Sequence, residues 1–291
     1  YSFISESSNF PESYEEKITA ETTIINLPDT VKENIRGALR TIEQYIDISF
    51  QETEDTLDFS IDNFASMGEM RFGAILEEDS WREDAAAFTY SPSNGSTVGP
   101  HIWVNWDEKW SENITYSDPE NYGFKTFLHE IGHTLGLKHP FDPRGDEGST
   151  SYANSVVKSE LDNWQNTLMS YTSISNLEDL EKSNKLSTNS TTGTTYEAYY
   201  PTTLMGFDVL ALQEIFGAST DANLGNDIYK FDNDTPAWHA IYDVGGFDVL
   251  DLSGITAGAT IDLRTNGLSK IGAEDLFKGA SDSDLSTGAL W

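Results

Sequence analysis

The stretch HEIGHTLGLKH, from His129 to His139, constrains the fold more than any other part of the chain. Three of the five histidines lie in it, at spacings of four and six. On a helix, His129 and His133 stand one turn apart on the same face, where two imidazoles can chelate one ion. Glu130 can point a carboxylate at water on that ion without binding the ion itself. Gly136 accommodates a positive φ just past the helix, so the chain can double back and present His139 as a third ligand. Pro140 cannot continue the helix.

A bare HExxH leaves open whether it marks a site or an ordinary helix; Gly136 and His139 at their offsets decide for the site. Three nitrogen ligands leave coordination positions free, the arrangement of a catalytic rather than a structural zinc. The all-imidazole set favours zinc, although copper or nickel also suit it. A protein-bound zinc lowers the pKa of its water to about 7. Glu130 is then the base that takes the proton and later delivers it to a leaving amine.

Charge narrows the partners. With 49 acidic and 17 basic residues the formal charge is −32, a surface that repels phosphate backbones and excludes nucleic acid and anionic membranes. No cysteine is present, so no disulfide supports the fold. No run approaches the length of apolar residues that a membrane-spanning helix needs. The first residues, YSFISESSNFPES, show no signal peptide.

Along the chain, Val31, Ile35, Ala38, Leu39, Ile42 and Ile46 recur at helical spacing, with Thr30 and Glu33 as a capping-box start. A strand, IDISFQE, is expected to follow, and TLDFSIDNF (56–64) alternates like another. PHIWVNW (100–106) reads as a strand after the turn-rich SPSNGSTVGP. A helix is expected from about Asn121 to Leu135, and a polar surface loop over 172–195. TTLMGFDVLALQEIFG (202–217) reads as a helix with Thr202 or Thr203 as N-cap and Gly217 as its stop. Short strands divided by Gly, Asn and Asp turns follow. The expected fold class is α+β, with one domain over 1–217 and a β-rich module over 218–291.

HExxHxxGxxH resembles the metzincin metalloproteases, whose motif is followed by a methionine turn. NTLMSYTS supplies one, with Met169 thirty residues after His139 and Tyr171 two residues later. A Met-x-Tyr turn resembles astacins and serralysins; astacins have disulfides, so serralysins are the nearer likeness. YGFKTFLHEIGHTLGLKHP, MRFG (70–73), PHIWVNW and YPTTLMGFDVLALQEIFGA are similar to serralysin segments over nearly the whole chain. The resemblance implies a twisted mixed sheet with long helices and an active-site helix at the cleft. It implies zinc on His129, His133, His139 and Tyr171, with Glu130 and Tyr171 catalytic and Met169 as an apolar floor. It also implies that His101, Ile102, Trp103, Val104 and Asn105 form the edge strand that pairs with an extended peptide.

DVGGFD (243–248) alone fits a Gly-Gly turn flanked by solubilising aspartates better than a cation site. Paired with NLGND (223–227), it resembles the entry to the RTX calcium module of serralysins. Carried over by position, the calcium ligands are Asn223, Gly225, Asp227, Asp243, Gly245 and Asp248, with Gly246 and Asp248 toward a second ion. Only one degenerate nonapeptide, GGFDVLDLS, is present. The second site is therefore expected to be incomplete, the sequence being a piece of a longer protein or the module a reduced one.

The expected function is a secreted, monomeric zinc endopeptidase that acts on protein or peptide substrates. The alternatives are a calcium-stabilised adhesion or scaffold module with a vestigial protease core, and the same zinc core acting on a non-peptide ester or amide.

Overall fold

The computed structural model describes residues 1–5, 8, 23–55, 68–76, 85–90, 101–106, 111, 114, 122–142, 156–172, 200–232, 238–256, 258–264 and 267–271. The expected strand at 56–64, the turn-rich 91–100 segment and the body of the 172–195 loop lie outside them. The chain divides into two compact units, Tyr1–Arg40 with Ser49–Gly136 and Thr41–Ile48 with Leu137–Trp291. No helix among the described residues is long and apolar enough to cross a membrane.

The first unit is built on a mixed sheet of β1 (Ser2–Phe3), β2 (Thr23–Ile25), β3 (Arg71–Leu76), β4 (Ala87–Tyr90) and β5 (His101–Asn105). The order is β1-β3-β5-β4, with β2 also paired to β3. β1, β3 and β5 run parallel, while β4 is antiparallel to β5. Every residue of β5, and Arg71 to Ile75 of β3, is buried. Central parallel strands covered on both faces give this pattern.

Gly73 lies beside Trp103 in the β3–β5 register, and a Cβ there would come within 2.5 Å of the indole ring. The glycine therefore makes room for an indole that packs with Ile4 and Ile75. Where Arg71 pairs with His101, two polar residues are buried. The Arg71 guanidinium donates to both carboxylate oxygens of Asp55, at 2.8 and 2.7 Å. Burial, reinforced by the Arg71 charge, pushes the His101 imidazole down to about 3 and keeps it neutral.

This topology corrects the expectation for PHIWVNW. His101, Ile102, Trp103, Val104 and Asn105 lie between β3 and β4, so their backbone groups are occupied on both sides. Among the described residues the free edge on that side is β4.

Helix α1 (Asp29–Glu43) buries Val31, Ile35, Ala38, Leu39 and Ile42 as the spacing requires. It starts at Asp29, so Thr30 stands inside the first turn rather than at the cap. Glu33 reaches forward instead, to Arg36 and Arg40. IDISFQE does not form a strand; Ile46 makes a single bridge to Ala218.

In the second unit, helix α3 (Gly206–Phe216) ends at Gly217, whose φ is 85°. It begins later than the Thr202 or Thr203 cap predicted. Those hydroxyls meet other partners, His239 Nδ1 at 2.8 Å and the Ala240 amide at 2.9 Å. The Met205 amide donates instead to the Asp208 carboxylate at 3.0 Å. Beyond α3, β6 (Ile228–Asp232) and β7 (Val249–Gly254) form a parallel pair, and β8 (Ala259–Thr260) and β9 (Lys270–Ile271) an antiparallel one.

Candidate metal centre

Helix α2 (Tyr122–Thr134) is buried from Gly123 to Gly132, so its histidines sit on a fixed scaffold. The His129 and His133 rings are 4.7 Å apart and near perpendicular. The helix closes with the Leu135 amide on the Ile131 carbonyl and the Gly136 amide on the His133 carbonyl, both at 3.0 Å. Gly136 then takes φ 104°, the left-handed turn its position called for. The chain turns back, and His129, His133 and His139 offer nitrogen atoms within 4.8 Å of one another.

Glu130 is buried, and its Oε2 accepts a hydrogen bond from the Thr89 hydroxyl at 2.7 Å. Burial raises its pKa, opposed by nearby His133, by the Thr89 bond and by Lys125. Thr89 belongs to β4 and was not singled out from sequence. It stands 41 residues before its partner, and no local pattern links the two.

The methionine turn is held by a residue that the sequence also concealed. Asp208 accepts the Thr167 hydroxyl at 2.6 Å and the Leu168 amide at 2.7 Å. The Thr167 hydroxyl oxygen in turn accepts the Met169 amide at 3.1 Å. Trp164 Nε1 donates to the Ser170 carbonyl at 2.7 Å, bracing the other side. Met169 is 1% exposed. Burial pushes the Asp208 carboxyl up to about 6 against these hydrogen bonds. Tyr171 is 63% exposed, and its ring centroid lies 4.7 Å from that of His139.

A second cluster lies where the glycine turns meet. Asp227, Asp243 and Asp248 offer carboxylate oxygens within 4.8 Å of one another. Asp248 accepts the Asp227 amide at 3.0 Å, and Asp243 accepts the Gly245 amide at 3.0 Å and the Tyr229 hydroxyl at 2.6 Å. Asp227 Oδ2 is buried with no hydrogen-bond partner among the described residues. Gly246 has φ 128°, and a Cβ there would overlap the Gly225 carbonyl oxygen, so only glycine allows the two turns to meet. Asn223 has φ 51° and donates its side-chain amide to the Tyr242 carbonyl at 2.8 Å.

Comparison with known proteins agrees with this geometry. The matrixin family model matches residues 13–145, and a reprolysin-like model of metallopeptidase family M12B matches 104–193. "Metallopeptidase AprA" of Pseudomonas marginalis is 31% identical over 239 residues, covering 77% of this chain and 46% of that protein. A "Serralysin C" of Dickeya chrysanthemi is 32% identical over 198 residues, covering 64% and 37%. "Serralysin G" of Dickeya chrysanthemi is 26% identical over 263 residues, covering 85% and 50%. The chain thus spans half or less of the length of these relatives. With the histidine triad in place, the chain belongs to the serralysin family of metzincin metalloproteases.

Proposed function

We propose that this chain carries the catalytic machinery of a secreted zinc endopeptidase that hydrolyses peptide bonds in proteins. The observation that carries the reading is the convergence of His129, His133 and His139 beside a buried, anchored Glu130. Three imidazoles fit zinc by donor type and leave room for reactants. Zinc, when bound, would supply Lewis acidity and make water a nucleophile at neutral pH.

The chain's own groups do the rest. Glu130 takes a proton from the attacking water and hands it to the leaving amine. Its burial favours holding that proton between the two transfers. Tyr171 would join the three histidines in holding zinc, and its hydroxyl would donate to the substrate oxygen as charge develops there. Met169 forms the apolar floor of the site.

The substrate strand is β4. The Asn105 amide donates to the Ala86 carbonyl at 2.9 Å, which fixes the hydrogen-bonding phase of the β4–β5 pair. Ala86 and Phe88 then bond inward, and the backbone groups of Ala87 and Thr89 point outward. An extended peptide adds there as a further strand. Thr89 would serve twice, receiving substrate through its backbone and anchoring Glu130 through its hydroxyl.

Residues 218–291 form a calcium-binding module of RTX type that follows the protease domain, residues 1–217. Asn223, Gly225, Asp227, Asp243, Gly245 and Asp248 would hold the ion, with Gly246 and Asp248 toward a second. The unpartnered Asp227 oxygen and three converging carboxylates suit a hard divalent cation. A scaffold role is not favoured, because it has no use for an anchored, buried Glu130. Chelation followed by zinc add-back tests the reading: casein hydrolysis should vanish and return, and persistent hydrolysis by metal-free protein would overturn it.

A further inference from the structure

Phe141 stands two residues past His139 and carries none of the roles above. It is 42% exposed, so it is not a core residue in the ordinary sense. Its ring is stacked, parallel and offset, on the His139 imidazole, with centroids 5.1 Å apart and planes only 7° from parallel. The same ring meets Tyr171 at 5.1 Å and 53°, while Tyr171 meets His139 at 4.7 Å and 58°. Three rings therefore touch one another in a triangle, and two of them belong to proposed metal ligands.

Each contact has a physical consequence. An imidazole turns about its Cβ–Cγ bond unless something blocks its face, and a parallel phenyl ring does so. Tyr171, largely exposed, has its ring supported on one side by His139 and Phe141. We propose that Phe141 is a positioning residue that fixes the plane of His139 and supports Tyr171 at the metal, so setting how readily Tyr171 leaves. This rests on the reading of Tyr171 as a metal ligand. Aromatic contacts of this kind shift such a balance by about two- to tenfold.

The test loads metal-free protein with copper(II) as a probe, because a phenolate bound to copper gives a charge-transfer absorption that histidines alone do not. Tyr171→Phe sets the zero. Phe141→Ala and Phe141→Leu should weaken the band about two- to tenfold and lower copper affinity, while Phe141→Tyr should keep both. Circular dichroism and the copper d–d absorption confirm that each variant is folded and loaded. A full band in the leucine or alanine variant overturns the role of Phe141 and leaves Tyr171 as a ligand. Absence of the band in the parent protein overturns both.

Discussion

The Thr89 hydroxyl lies 2.7 Å from Glu130 Oε2 and 3.3 Å from the Glu130 carbonyl oxygen, joining the sheet edge to the helix that carries Glu130. Removing that hydroxyl without changing side-chain shape should therefore disturb chemistry more than folding. Thr89→Val is expected to lower kcat by about tenfold or more, the scale of a lost hydrogen bond to a charged group, with KM little changed. Thr89→Ser should restore most of the rate. Steady-state kinetics on a short peptide substrate decide it.

If β4 receives substrate, its outward amides should be dispensable for folding and needed for binding. Ala87→Pro removes one outward N–H and no ladder bond, so it should fold and raise KM several-fold. Phe88→Pro removes an inward N–H and should destabilise the sheet by about 3 kcal/mol. Thermal melts beside KM values separate the two.

Asp208 links stability to pH. Its ordinary carboxyl value is 3.8, and in the fold it is pushed up to about 6. The folded protein therefore holds a proton between these values that the unfolded chain has released. This contribution to stability is fully present below about pH 4 and is lost as pH rises through about 6, an effect on the order of 3 kcal/mol. Asp208→Asn stays neutral throughout and should flatten that part of the profile in urea unfolding. Asp208→Ala strands the amides of Leu168 and Met205 and should cost about 3 kcal/mol at any pH.

The aspartate cluster predicts that calcium stabilises the chain. Calcium at a hundred times its dissociation constant should add about 2.7 kcal/mol, seen as a rise in Tm that a chelator reverses. Asp227→Asn should weaken calcium binding about tenfold or more in a calorimetric titration, since it removes the charge of a half-buried proposed ligand. Zinc content should be unaffected.

What could be read from the sequence was what local spacing dictates. His129, His133, Gly136 and His139 act within one helix and one turn, so their chemistry survives in a linear text. Helix α1 was legible for the same reason, through the repeat of Val31, Ile35, Leu39 and Ile42. Thr89 and Asp208 were not, because their partners lie about 40 residues away and a single hydroxyl or carboxylate leaves no periodic trace. The place of PHIWVNW in the sheet is not legible in its residues, because β-branched and aromatic side chains mark a strand without saying which strands flank it. The start of α3 shifted because Thr202 and Thr203 met partners in the 238–240 segment, leaving Asp208 to bond the Met205 amide.

In the proposed mechanism Glu130 is a base and not a metal ligand. Glu130→Gln keeps the shape and the Thr89 contact and removes the proton acceptor. Zinc stoichiometry and peptide hydrolysis should be measured on the same preparation. One zinc per chain is expected, as in the parent, with hydrolysis reduced by about 10²- to 10⁴-fold. Parent-like hydrolysis by the zinc-loaded Glu130→Gln protein would contradict it.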